Sequence, residues 1–497
     1  MKIFIAKTVL LLTFSTGLYA QDNIAAPAIA GDFADPSIIH AGKAYYAVGT
    51  SSEWAPYFPI YTSNDLKKWT LKSYAFDTLP EWASSSFWAP EYFYHNNTYY
   101  IYYTARRKSD NVSCIGVATS KYPYRGFTDR GIVVAYGKEA IDGFVYNDNG
   151  QLYITFKAYG LDNRPIELLG SKLNSDGLKM EGEIFSLLKD DERIGMEGQS
   201  ILKHNGVYYL FYAAGGCCGG GCSYEVRVAR SENITGPFEK YKGSPLLQES
   251  EQWKCPGHGT FTTDDNSQMF YLHHAYNKKS IVFTGRQGLL SKLSWNEKEG
   301  WPVLTATPFK NTPDKGFSDS FGSKKLNPYW QYDFRHATPI IKQKDGKLTL
   351  TGSSKEGNLS GIALTVRPES DIFEMEATVT NYNNALKGLV FYGDANAAIG
   401  VGITGNNITF WKVKDNIYSE IESGSINTKN PTQLKLITSP DHTCKAFYKD
   451  ENKWIELSSS TSIDFLPQWD RSPRAGLHFK GDVNEEAVFD TFSVKYN

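Results

Sequence analysis

Residues 195–215, GMEGQSILKHNGVYYLFYAAG, place a carboxylate, Glu197, between Met196 and a glycine at the mouth of an apolar run. The run turns at Asn205 and Gly206 and returns as an aromatic strand. Four other stretches repeat this outline: 33–49 (FADPSIIHAGKAYYAVG), 87–103 (FWAPEYFYHNNTYYIYY), 141–156 (IDGFVYNDNGQLYITF) and 257–274 (GHGTFTTDDNSQMFYLHH). Each has a polar or proline-containing entry, a short apolar strand, a turn and an aromatic strand. The entries Asp35, Pro90, Asp142, Glu197 and His258 are spaced 55, 52, 55 and 61 residues apart.

A repeat of this length holds four strands, the content of one propeller blade. Five repeats predict an all-β, five-bladed β-propeller over residues 21–310. The competing arrangement, a β-sandwich with chance likeness among its strands, does not account for the doublets Tyr45–Tyr46, Tyr99–Tyr100 and Tyr208–Tyr209 recurring in phase. The first strand of each blade lines the central channel, and one end of all five converges on a single funnel. The five entries are therefore predicted neighbours in space, and three of them are acids.

Beyond the sequence EGWPVL at 299–304, Pro308 and Pro313 mark a linker. In FEMEATVT at 373–380, Phe373, Met375, Ala377 and Val379 alternate with polar residues, the period of a half-buried strand. Residues 318–497 are expected to form a jelly-roll, concanavalin-like β-sandwich. At the other end, Lys2 and Lys7, an apolar run and the small Ala20 read as a signal peptide over residues 1–20. That predicts export to the periplasm or the medium.

A net charge of −2 with interspersed acids and bases argues against nucleic acid or an anionic membrane as partner. Aromatic residues make up 14% of the chain, with 32 Tyr and 11 Trp, which suits a neutral ligand whose CH groups stack on rings. Polysaccharide or oligosaccharide fits that description. The six cysteines of an exported chain allow 15 complete pairings. GGCCGGGC at 215–222 admits a Cys217–Cys218 bridge, or a bridge from either to Cys222 or Cys255. A zinc set of Cys217 or Cys218 with Cys222, Cys255 and His258 has the right atoms but no common zinc spacing.

Three carboxylates at one funnel repel one another, so a chemical role is the economical explanation. Glycosidic cleavage needs a protonated carboxyl for the leaving oxygen and a carboxylate across the ring to activate water. A third acid can tune the proton donor. A cation site or carboxylates capping backbone amides are the structural alternatives.

Across about residues 31–305 the motifs ADPS, WAPE, IDGFVYNDNG, EGQS, HGTF and GRQGLLSKLSWNEKEGWPVL, in order, resemble glycoside hydrolase family 43. The resemblance implies an inverting glycosidase with Asp35 as general base, Glu197 as general acid and Asp142 as modulator, requiring no cofactor for its chemistry. It further implies sugar contacts from Trp54, Phe58, Trp88, Glu91 and Arg286, and a pocket bordered by Cys217 and Cys218. His258 is similar to a histidine that in many relatives faces a hydrated structural calcium ion.

The C-terminal half resembles the sandwich of two-domain β-xylosidases and arabinofuranosidases. Exo release of α-L-arabinofuranose is the leading expectation, with β-D-galactofuranoside or β-D-xyloside as alternatives. A retaining fructan-type hydrolase would open on an Asn-Asp-Pro-Asn-Gly type motif, which FADPSI is not. A non-catalytic sugar-binding propeller would be expected to lack one of the three acids.

Overall fold

The pairs Asn96–Asn97, Asn149–Gly150 and Asn205–Gly206 close two-residue hairpins, where both positions take positive φ and Asn and Gly do so most readily. These turns fold the aromatic strands back on the apolar ones. The computed structural model describes residues 26–307, 315–426, 431–458 and 460–496. The predicted leader and the centre of the predicted linker lie outside the described residues. Among the described residues one 3₁₀ turn, Ile281–Phe283, is the sole helical element, and no helix is long and apolar enough to cross a membrane.

Five four-stranded antiparallel sheets follow one another along the chain, each a simple meander. Their inner strands are Ser37–Ala41, Ala83–His95, Ala140–Asp148, Met196–His204 and Trp253–Thr263. The ring closes between the first and fifth blades. There Ile38 N donates to Thr260 Oγ1 (3.0 Å), and Ile29 pairs with Gly288.

A left-handed residue stands at the entry to every inner strand: Asp35, Ala89, Asp142, Gly198 and His258, with φ of 50°, 44°, 58°, 61° and 39°. In the last four blades it coincides with a register shift, a β-bulge that re-aims the side chains at the strand mouth. Gly198 is the position that must be glycine, because a Cβ there would lie 2.7 Å from the His258 ring. The repeat thus builds one kinked corner per blade.

Residues from Gly316 onward form one antiparallel sheet of nine strands and seven strands of a second, eight-stranded one packed on it, the predicted sandwich. Phe373, Met375, Ala377 and Val379 all face its core, as their alternation requires. The eight-stranded sheet has an unforeseen edge strand. Trp54–Ala55, from the first blade, pairs with Gln331–Asp333 and so stitches propeller to sandwich.

That pairing corrects the expectation for Trp54. Its ring is 1% exposed, packed with Val390, Tyr392 and Trp411 of the sandwich and covered by Arg474 at 5.1 Å, so no sugar can reach it. Phe58 is likewise core, fully buried against Phe76, Phe87 and Tyr103. Trp54→Ala is expected to destabilise the folded chain by about 3–5 kcal/mol, the range for deleting a buried large aromatic side chain. The expected readout is a lowered melting temperature with little change in the Michaelis constant; the reverse pattern would return Trp54 to the sugar site.

Candidate active site

The left-handed corners bring Asp35, Asp142 and His258 to one funnel, with Glu197 beside the corner of the fourth blade. Asp35 is fixed from three sides. Thr50 Oγ1 donates to its Oδ2 (2.7 Å), Arg286 Nη1 to its Oδ1 (3.0 Å), and its own backbone N–H donates to His274 Nδ1 (3.0 Å). His274 also lies 3.3 Å from Asp35 Oδ1, but that contact is not an ion pair. The nitrogen is already an acceptor, and burial together with the Arg286 charge holds the ring well below its usual range, hence neutral.

Asp142 Oδ2 accepts the Gly198 backbone N–H (2.9 Å), and its carbonyl accepts from the Gln199 amide, so the third and fourth blades are tied at the acids themselves. His258 Nδ1 sits 3.5 Å from Asp35 Oδ1 and 3.8 Å from Asp142 Oδ2, between the two carboxylates. Glu197 Oε2 accepts from Lys157 Nζ (2.7 Å) and Oε1 from the Tyr224 hydroxyl (2.9 Å).

These partners set the acids apart electrically. Burial pushes the Asp142 carboxyl up to about 6, with the His258 ring opposing and the Glu197 charge adding to the rise. Burial also acts upward on Glu197, but the Lys157 ammonium and the Lys157 and Tyr224 hydrogen bonds outweigh it, and the net direction is downward. A modulator was expected to hold the proton donor high. The structure instead shows the modulator raised by burial and the donor lowered by Lys157.

Neither Lys157 nor Tyr224 was foreseen. Lys157 interrupts the apolar run LYITFKA on the second strand of the third blade, opposite Ile141. A lone charge in an otherwise apolar inner run was the available signal.

Arg286 stands where the motif placed it, and its Nη2 donates to the Asp470 carbonyl (3.1 Å). Asp470 belongs to a sandwich loop, residues 467–473, that reaches over the funnel. Trp88 Nε1 donates to Asp470 Oδ2 (3.3 Å), and the Trp88 ring meets Trp469 edge-on at 6.1 Å. Trp469 is 60% exposed, an aromatic face at the rim supplied by the second unit. Sequence gave no way to bring residue 469 to residue 88.

Glu91 is buried and bonded to Ser37, and burial holds its carboxyl well above the usual range. The cysteines resolve into two bridges, Cys217–Cys218 and Cys222–Cys255, which consumes the thiolates a zinc site would need. Cys217 packs in one cluster with Tyr224, Cys255 and Tyr276, and Gly219 approaches Trp469, so the loop lies between the Glu197 partner and the rim.

The His258 ring turns Nδ1 toward Asp35 and Asp142, and a hydrated calcium ion facing that ring would take its oxygen donors from water. Among the described residues the His, Cys, Asp and Glu atoms close enough to share an ion are those of Asp333, His336 and Asp394, away from the funnel.

Clustered carboxylates with graded proton affinity under an aromatic rim are the equipment of an enzyme that hydrolyses glycosidic bonds. Comparison with known proteins gives the family. The model described as glycosyl hydrolases family 43 matches residues 24–302, and the chain belongs to that family.

Among its relatives are an extracellular endo-α-(1→5)-L-arabinanase of Bacillus subtilis strain 168, 28% identical over 54% of this chain and 86% of its own. Another is an extracellular exo-α-(1→5)-L-arabinofuranosidase, ArbA, of Cellvibrio japonicus strain Ueda107, 30% identical over 59% and 90%. The crystal structure of the GH43 protein BlXynB of Bacillus licheniformis superposes with a TM-score of 0.81 at 20% identity, covering 95% of this chain and 99% of that one, so the likeness in fold extends over both units.

The two bridges are expected to differ in consequence. Cys222→Ala with Cys255→Ala opens a 33-residue separation and should cost about 2–4 kcal/mol of stability. Cys217→Ala with Cys218→Ala should change substrate affinity more than melting temperature. Thermal melts beside Michaelis constants for both double variants check the contrast.

Proposed function

We propose that the protein is an exported, inverting, exo-acting glycoside hydrolase that releases terminal α-L-arabinofuranose from arabinan-type plant polysaccharide or its oligosaccharides. The observation that carries the exo reading is the cap formed by residues 467–473. Its Asp470 carbonyl sits on Arg286 and its Trp469 against Trp88, which narrows an open propeller groove toward a pocket for a chain end. The similarity to relatives named as extracellular and arabinan-active supports the compartment and the sugar.

Asp35 is the general base. Arg286 compensates its charge and Thr50 fixes its orientation, leaving it to take a proton from a water attacking the anomeric carbon. Glu197 is the general acid, giving its proton to the departing oxygen. Tyr224, whose hydroxyl proton is held firmly by burial and by the Glu197 charge, then stabilises the carboxylate left behind. Asp142 supplies the charge that governs that proton. His258 spaces Asp35 from Asp142 and so keeps base and modulator in register.

These roles separate by leaving group. Glu197→Ala should lose about 100- to 10,000-fold on an arabino-oligosaccharide, whose alkoxide must be protonated to leave. It should be far less impaired on dinitrophenyl arabinofuranoside, whose phenolate departs unaided. Asp35→Ala should be slow on both, with some turnover restored by azide. Rates of the two variants on the two substrates check the assignment, and the opposite pattern exchanges the two roles. The same assay on β-D-galactofuranosides and β-D-xylosides should give lower kcat/KM than the arabinofuranosides.

A further inference from the structure

Asp32 stands three residues before Asp35, buried where the first blade, the fifth blade and the sandwich meet. Its two carboxylate oxygens are divided between the two units. Oδ1 accepts the Arg286 backbone N–H (3.3 Å), while Oδ2 accepts the Ser472 backbone N–H (3.1 Å) and Arg474 Nη2 (3.4 Å). The Asp32 carbonyl accepts from a further sandwich residue, Arg367, through Nη1 (2.9 Å). Gly285, at φ 67°, is what lets the carboxylate approach, because a Cβ there would collide with it.

Both N–H groups belong to parts of the site. Arg286 carries the guanidinium whose Nη1 faces Asp35, and Ser472 lies in the loop 467–473 whose Asp470 carbonyl accepts from Nη2 of the same guanidinium. The circuit is closed: Asp32 holds the Arg286 backbone and the loop, and the loop holds the Arg286 side chain. From that seat the loop crosses the funnel to Trp88 of the second blade and to Gly219 of the fourth.

We propose that Asp32 is a positioning residue that sets the exo specificity: it seats the loop 467–473 over the funnel in register with the Arg286–Asp35 pair. The inference rests on the exo reading of that loop. A carboxylate is needed at the seat because both of its oxygens act as acceptors. An amide has one acceptor oxygen and one NH₂, so Asp32→Asn turns the NH₂ toward the Arg286 N–H in one orientation and toward the Ser472 N–H and Arg474 in the other. Either way a buried donor loses its acceptor, and Arg474 loses its counter-charge.

The loop is the part that yields. The Arg286 backbone is held independently, by its ladder pairing with Tyr276 and by the Phe33 N–H on its carbonyl (2.7 Å). Retreat of the loop opens the groove beyond the terminal sugar, so that a chain can lie across the acids instead of ending at them.

The test compares the wild type, Asp32→Asn and Trp54→Ala, the last of which loosens the same two units at a different contact. Linear α-(1→5)-arabinan is the polymer, and a short arabino-oligosaccharide gives kcat/KM for terminal release. The wild type should release arabinose alone from the polymer. Asp32→Asn should lose about 10-fold or more in kcat/KM and release arabino-oligosaccharides beside arabinose. Trp54→Ala should keep the arabinose-only pattern despite its lowered melting temperature.

Arabinose alone from folded Asp32→Asn overturns the inference and leaves the exo reading standing. The same oligosaccharides from Trp54→Ala would make the effect one of general loosening and overturn it too. Oligosaccharides from the wild type remove the exo reading and the inference with it. Gly285→Ala keeps the Asp32 charge but crowds the carboxylate off its seat, which gives a reading independent of the folding of Asp32→Asn. It should release the same oligosaccharides, and arabinose alone from it overturns the inference.

Discussion

Mutual repulsion among carboxylates buried in one funnel is the constraint on which the rest of this structure depends. A water-poor cavity strengthens that repulsion, and the fold answers with charges delivered from different places. Arg286 comes from the fifth blade to Asp35, and Lys157 crosses from the third blade to Glu197 in the fourth. Backbone N–H groups contribute as well, with Gly198 donating to Asp142. Arg286, Lys157 and the Gly198 N–H each come from a blade other than that of the acid they serve, while Thr50 and Tyr224 come from the same one.

The left-handed corner at every inner strand is the device that makes this possible. A regular strand would alternate its side chains between faces, whereas a bulge turns the entry residue toward the axis. Where the corner carries Asp35 or Asp142 it supplies chemistry. Where it carries Gly198 it admits the His258 ring, which then sits between the two aspartates. The sandwich completes the arrangement from outside. Trp54 anchors it to the first blade, while Asp470 and Trp469 bring a polar clamp and an aromatic face to the rim.

The acids were legible because a propeller converts a period in sequence into a ring in space. Asp35 and Asp142 occupy equivalent corners of the repeat, Glu197 stands one residue before the corner of its own blade, and His258 takes the corner of the fifth. Side-chain partners that are not periodic were not legible. Lys157 has Ala213 as its counterpart in the next blade, so nothing in the repeat points to it. The aromatics were misjudged for a related reason. Composition tells how many rings a chain has but not which face receives them, and Trp54 serves the interface and Phe58 the core. Trp469 lies far from the funnel in sequence and near it only after the two units dock.

In the proposed reaction water, activated by Asp35 and opposed by a protonated Glu197, displaces the leaving group in a single step. Proton NMR of the first-formed sugar during early turnover of an α-L-arabinofuranoside tests it most directly. β-L-Arabinofuranose is expected to appear first, followed by slow equilibration to the α anomer. Initial release of the α anomer would mean a covalent intermediate on Asp35 and would contradict it.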